Sequence, residues 1–300
     1  MEHTDLMQDI ATRTSGDVFI GVVGPVRTGK STFIKKFMDL LVLPRITDDA
    51  MRRRALDELP QSGAGRTVMT VEPKFVPDDA VALEVQEGLT IRVRLADSVG
   101  FPVEGARGYD EDEGPRMVLT PWFEDAIPFE EAAEVGTRKI IADHSTLGVV
   151  VTSDGSIGEL PREAFIAAEE RTIREVNELD RPFVVVLNSS DPTGSYASDL
   201  AGELTERYGA PVIPQDCLNM TEADVFAILK ELLYEFPVSE FHVHLPSWVD
   251  ELAEDHWLRR RYEETIDGAI GDVSRLRDVN RSVEVMGASE FVSAAQLHDL

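Results

Sequence analysis

The segment Gly24-Pro-Val-Arg-Thr-Gly-Lys-Ser31 sets two glycines, a lysine and a hydroxyl at the spacing G-x(4)-G-K-[ST]. That spacing suits the binding of a phosphate chain. Gly24 and Gly29 let the backbone approach closely, so the N–H groups of Val26, Arg27, Thr28 and Gly29 and the start of a following helix at Thr32 converge on β- and γ-phosphates. Lys30 adds a point charge, and the Ser31 hydroxyl is a ligand type for Mg²⁺. The alternative, a tight glycine-rich turn with no ligand, does not account for the flanks. A branched apolar run precedes the motif and an amphipathic stretch follows it.

Three further segments bear on the same chemistry. Leu95-Ala-Asp97-Ser-Val-Gly100 ends an alternating run with D-x-x-G, which in P-loop proteins puts a carboxylate in the Mg²⁺ shell and a glycine N–H at the γ-phosphate. Taken alone it is an ordinary strand-ending turn. Thr70, with Thr67 as the second choice, lies where a loop threonine completes the Mg²⁺ shell while a γ-phosphate is present; a solvated loop threonine is the competing reading. Asn188-Ser-Ser-Asp191 follows an apolar run and keeps the Asn and Asp of the guanine-reading Asn-Lys-x-Asp pattern, but Ser189 stands at the lysine. The motif therefore leaves adenine and guanine both open. Phe101 follows Gly100 where many small GTPases carry a water-orienting glutamine, and phenylalanine cannot do that work. Arg27 either stabilises charge from within the loop or points to solvent or a nearby acid.

These residues need a scaffold. Asp17–Val23 reads as a buried strand and residues 31–41 as a helix; residues 44–72 read as a helix and a loop. Runs at 81–85 and 89–95 predict an antiparallel hairpin. Residues 100–128 are Gly/Pro-rich and acidic, without periodicity. Helices near 130–143, 162–179, 196–208 and 222–235 then alternate with strands at 147–152, 183–187 and 211–213. The alternation calls for an α/β fold, a mostly parallel sheet with helices on both faces. The character changes after Phe236-Pro237, predicting a nucleotide domain over 1–236 and part of a smaller α+β domain over 237–300. There Glu240–Leu245 is expected to be a strand, with His242 and His244 on one face, followed by charged helices. Trp248 and Trp257 are expected to pack in a core.

The 300 residues carry a formal charge of −27, which argues against a nucleic-acid partner and against unaided adhesion to an anionic membrane. One cysteine, Cys217, fits a reducing compartment and carries no neighbouring motif for a nucleophile. No signal-like N-terminus or membrane-spanning run is present, so a cytoplasmic protein is expected.

Beyond single motifs, the chain resembles the stage IV sporulation protein A family of endospore-forming bacteria. The likeness runs to about Val283. It rests on Gly21-Val-Val-Gly-Pro-Val-Arg-Thr-Gly-Lys-Ser-Thr-Phe-Ile-Lys-Lys-Phe-Met38, Asp57-Glu-Leu-Pro-Gln-Ser62, Glu72-Pro-Lys-Phe-Val-Pro77, Gly114-Pro-Arg-Met117, His144-Ser145, Leu233-Tyr-Glu-Phe-Pro237 and Leu245-Pro-Ser-Trp248. The resemblance implies a P-loop NTPase of GTPase-like fold that hydrolyses ATP with Mg²⁺. It further implies self-assembly into a static homopolymer, the basement layer of the spore coat, at the forespore surface in the mother-cell cytoplasm. A small amphipathic membrane-bound protein recruits such a polymer, and other spore coat proteins build on it. On this likeness Lys30 is the P-loop lysine, Asp97 the Mg²⁺-side aspartate and Thr70 the first of two sensor threonines.

Three departures stand out. Val71 replaces the second threonine, Asp191 restores an acid that favours guanine, and the family's chains run on past residue 300, so the resemblance implies a fragment. Two rival readings follow: a GTPase switch that recruits partners, and a nucleotide-binding scaffold with little turnover, the latter motivated by Phe101.

Overall fold

The computed structural model describes residues 3–60, 74–86, 89–105, 110–111, 114–120, 123–179 and 181–297. It divides into two compact units, residues 1–232 and 233–300.

The first unit opens with α1 (His3–Arg13), β1 (Asp17–Val23), α2 (Lys30–Phe37) and α3 (Asp49–Asp57). The expected helix over 31–41 is α2 continued by a π-helical turn at Met38–Val42 and a 3₁₀ turn at Leu43–Arg45, which contains Pro44. Asp48 caps α3, accepting from the Met51 N–H at 2.7 Å. The hairpin forms as β2 (Lys74–Gln86) and β3 (Leu89–Asp97), with β2 reaching further upstream than the alternation signalled. The 100–128 segment holds two short ladders among its described residues: β4 (Asp110–Glu111) with β5 (Gly114–Pro115), and β6 (Met117–Val118) with β7 (Ile127–Pro128). Then come α4 (Phe129–His144), β8 (Leu147–Ser153), α5 (Glu163–Glu178), β9 (Phe183–Asn188), α6 (Ser195–Tyr208), β10 (Val212–Gln215) and α7 (Glu222–Tyr234).

Six strands form one sheet in the order β10-β9-β8-β1-β3-β2, parallel throughout except where β2 pairs with β3. Every residue of β8 and β9 is buried, as strands covered on both faces must be, which is why their sequences are continuous apolar runs. A core of Ile140, Ile141, Val150, Val176, Val185 and Leu204 fills one flank of the sheet. The chain leaves β1 toward α2 at the point where the strand order reverses, between β3 and β8. Open α/β sheets bind ligands at that place, beyond the carboxyl ends of the strands.

In the second unit, α8 (Ser247–Asp250), α9 (Trp257–Ile270) and α10 (Leu276–Gly287) are the helices among the described residues. Arg275 and Arg277 pair with the buried Glu235 carboxylate, Arg277 at 3.0 Å. Burial raises the Glu235 carboxyl above its ordinary value, although both arginines pull it down.

Two expectations fail here. Glu240–Leu245 is not a strand: just upstream Pro237 bridges to Arg275, the Leu276 N–H reaches Phe236 O and the Val238 N–H reaches Ser274 O, and among the described residues no ladder continues past them. His242 consequently has no strand face to share with His244, and sits exposed beside Glu240 at 3.1 Å. Trp248 and Trp257 are 49% and 62% exposed. Trp248 meets the Tyr262 ring edge-on, and Trp257 meets Phe291 edge-on while stacking on His256, instead of entering a core.

Candidate functional site

The loop from Gly24 to Gly29 takes its shape from local backbone demands. A side chain on Gly24 would drive its Cβ to 2.2 Å from the Val151 carbonyl oxygen, because the loop crosses directly over β8. Gly29 holds φ at 97° as the residue preceding α2, and a Cβ there would meet the Asn188 amide nitrogen at 2.3 Å. Arg27 also takes a left-handed φ of 69°. Thr28 is fully buried and closes the loop by donating to the Pro25 carbonyl at 2.9 Å. Arg27, Gly29, Ser31 and Thr32 are partly exposed while Gly24, Val26, Thr28 and Lys30 are buried, so the loop opens to solvent on the side where α2 begins. The first N–H groups of a helix have no partners within it, so that opening is lined by donors.

Lys30 is buried and folds its ammonium inward onto the Pro25 carbonyl at 2.7 Å and the Gly24 carbonyl at 3.2 Å. Burial pulls its pKa down to about 8, against the attraction of Asp97. The Ser31 hydroxyl donates to Asp97 Oδ2 at 2.8 Å. Asp97 ends β3 in register with Val22 of β1, so parallel pairing delivers its carboxylate to the loop. Burial raises the Asp97 carboxyl above the ordinary range, with Lys30, the Ser31 hydrogen bond and Lys74 opposing.

Asp97 Oδ1 is buried with no hydrogen-bond partner. A carboxylate oxygen in that position fits a hard cation or its water, since buried acceptors are otherwise paired. An ammonium resting on two carbonyls beside helix N–H groups likewise fits a phosphate chain.

Gly100 lies on top of this arrangement. Its Cα packs so closely that a Cβ would sit 2.4 Å from Lys30 Nζ. Phe101, next along, accepts from the Val26 N–H at 2.9 Å and forms a parallel bridge with Pro25. Its ring is buried with Val26, Val103, Phe165 and Ala168.

Asn188 joins the site as a brace. Its amide donates to the Thr28 carbonyl at 2.9 Å, and its side-chain oxygen accepts from the Cys217 N–H at 3.1 Å. Cys217, fully buried after β10, was invisible to motif reading as part of this frame because its backbone, not its thiol, makes the contact. Asp191 is exposed and folds over its own turn, taking the Thr193 hydroxyl at 3.3 Å and lying against Gly194. Thr67, Thr70 and Val71 fall outside the described residues. Among the described residues no cluster of three His, Cys, Asp or Glu side chains is poised for a metal, and no helix is long and apolar enough to cross a membrane.

A six-stranded, mostly parallel sheet with helices on both faces and a G-x(4)-G-K-S loop at its reversal point defines the P-loop nucleoside triphosphatase class. Residues 1–237 match the family description "Stage IV sporulation protein A, ATPase domain", and residues 238–300 match "Stage IV sporulation protein A, middle domain". The chain belongs to the stage IV sporulation protein A family. It is 53% identical over 297 residues to the protein of that name from Bacillus anthracis, and likewise to that of Bacillus subtilis (strain 168), covering 99% of this chain and 60% of each relative. The Clostridioides difficile (strain 630) protein is 44% identical over 290 residues, covering 97% of this chain and 59% of its own length. The chain thus spans about 60% of the length of these relatives.

Proposed function

We propose that this chain binds and hydrolyses ATP with Mg²⁺, and that turnover drives its self-assembly into a static polymer forming the basement layer of the spore coat. The observation that carries the catalytic half is the meeting of Lys30, Ser31 and Asp97 at the carboxyl ends of β1 and β3. Ser31 and Asp97, with Thr70, would hold the cation, which when bound neutralises charge on the β- and γ-phosphate oxygens. Lys30 exchanges its two carbonyls for phosphate oxygens. The N–H groups of residues 26–32 orient the chain of phosphates, and the Gly100 N–H meets the γ-phosphate. Electrostatic stabilisation by such fixed donors is the main catalytic contribution in this chemistry. The assembly half rests on family membership, as do the mother-cell location at the forespore surface, recruitment by a small amphipathic membrane-bound protein and the contacts with other coat proteins.

Adenine is taken as the base on the family likeness and because Ser189 supplies no stem to cover a guanine. The exposed Asp191 carboxylate, which takes the Thr193 hydroxyl at 3.3 Å, still offers a guanine acceptor, so both nucleotides are compared. The test is phosphate release from ATP and GTP, followed by sedimentation of the product, for the wild-type chain and Lys30→Ala. ATP-dependent release and pelleting, both lost in Lys30→Ala, support the proposal. Preferential GTP turnover abolished by Asp191→Ala would replace it with the GTPase-switch reading.

A further inference from the structure

We infer that Arg171 is a positioning residue for the phosphate site, acting on it through Phe101. Arg171 lies on α5, remote in sequence from every loop residue, and its guanidinium stacks over the Phe101 ring at 4.9 Å from the centroid. Two carboxylates of α4 fix it there: Glu130 accepts at 2.7 Å and Glu134 accepts from the second terminal nitrogen. A planar cation held by two acids over an aromatic face is more than apolar packing requires. Leucine would fill the same space; only an aromatic ring offers the cation a negative face.

The clasped residue touches the site twice. Its carbonyl takes the Val26 N–H, so the ring's position sets the first half of the phosphate loop. Its predecessor, Gly100, presses on Lys30 Nζ and the Gly24 carbonyl, with a Cβ there 2.4 Å and 2.6 Å from them. Arg171 therefore fixes how closely the D-x-x-G backbone stands to the lysine. Where other P-loop enzymes spend the residue after this glycine on orienting water, this chain spends it on holding the glycine in place.

The inference deepens the ATP-hydrolysis reading and rests on it. Gly100 faces the γ-phosphate, which ADP lacks, so a loosened clasp should penalise ATP and leave ADP alone. The experiment compares wild type, Arg171→Met, Arg171→Lys and Phe101→Leu by steady-state phosphate release and by equilibrium binding of Mg-ATP and Mg-ADP, with thermal melts in parallel. Arg171→Met and Phe101→Leu are expected to lower kcat about 10-fold, as small misplacements of a positioned group do. The ratio of ATP to ADP affinity should narrow while ADP affinity stays within about twofold. Arg171→Lys, which keeps the positive charge but not the two-nitrogen fork to Glu130 and Glu134, should recover a small part of the loss. Equal weakening of both nucleotides, or unchanged kcat and unchanged ratio, overturns the inference. If Arg171→Met fails to fold, Phe101→Leu and Arg171→Lys decide between these outcomes. Failure of the underlying reading looks different: the wild-type chain itself would release no phosphate, and the ATP-to-ADP binding ratio would then decide the clasp independently.

Discussion

The Ser31 hydroxyl donates to one oxygen of the Asp97 carboxylate at 2.8 Å, while the other oxygen is buried without a partner. The serine and the aspartate come from elements 66 residues apart in sequence, joined only because β1 and β3 pair in parallel. Each group satisfies the other while the free oxygen keeps an unmet need. The proposed Mg²⁺ would answer that need. Asp97→Asn keeps the shape and the serine contact but removes the charge. Phosphate release should fall on the order of 10²-fold, and the Mg²⁺ concentration giving half-maximal rate should rise. A magnesium titration of wild type and variant checks this. Unchanged half-saturation would mean that Asp97 does not face the metal.

Asn188 predicts a different kind of loss. Both ends of its amide are in use, holding Thr28 of the phosphate loop to the backbone at Cys217. Asn188→Ala leaves a buried carbonyl and a buried N–H unpaired, at about 1–3 kcal/mol each. Urea denaturation should show a drop of that order. Nucleotide should weaken as well, because Gly29 packs against the same amide. Asn188→Asp, which keeps an acceptor for Cys217 but sets a buried carboxylate oxygen against the Thr28 carbonyl, should cost at least as much as Asn188→Ala.

The parts of this architecture that were legible in the sequence are those encoded locally. The buried runs of β8 and β9, the strand-ending Asp97 and the glycine spacing of the loop are each written within a dozen residues. What could not be read depends on groups brought together by the fold. The Asn188–Cys217 brace uses a backbone N–H that every residue type offers. Arg171 over Phe101 joins two ordinary residues that have β4 to β7, α4 and β8 between them in sequence. The expected strand at Glu240–Leu245 failed for the converse reason, since its local pattern was adequate but no neighbouring strand was available among the described residues. Trp248 and Trp257 show that hydrophobic bulk alone does not place a side chain in a core.

The thiol of Cys217 gives a prediction in pH. Burial, aided by Asp216, pushes it up to about 12. The folded state therefore retains a proton that the unfolded chain releases near 9. The resulting stability is complete below that value and declines as pH rises toward 12. At pH 8 the buried thiol stays protonated, so the native chain should resist iodoacetamide. Mass spectrometry should find no adduct on native protein after an hour and one adduct per chain in denaturant. Rapid native labelling would show that the Cys217 loop opens.

The last prediction concerns a buried charge network beside the site. Glu169 of α5 is fully buried and accepts from Arg162 at 2.5 and 2.7 Å, from the Tyr208 hydroxyl at 2.6 Å and from Thr152. Burial and the carboxylate together hold the Tyr208 hydroxyl well above its ordinary pKa, so it remains a donor. Arg162 in turn donates to the Ser153 carbonyl at 3.1 Å, one residue from the Asp154 N–H that donates to the Asn188 carbonyl. Removing one member strands the other: Glu169→Ala should cost about 3–5 kcal/mol, because a buried guanidinium loses its counter-ion. Replacing both should cost far less, since an apolar pair of similar volume meets no such penalty. The measurement is a double-mutant cycle in urea with Arg162→Met and Glu169→Leu. Single losses that greatly exceed the double loss indicate a network kept for geometry more than for net stability. Additive losses would mean that water reaches the pair and screens each charge alone.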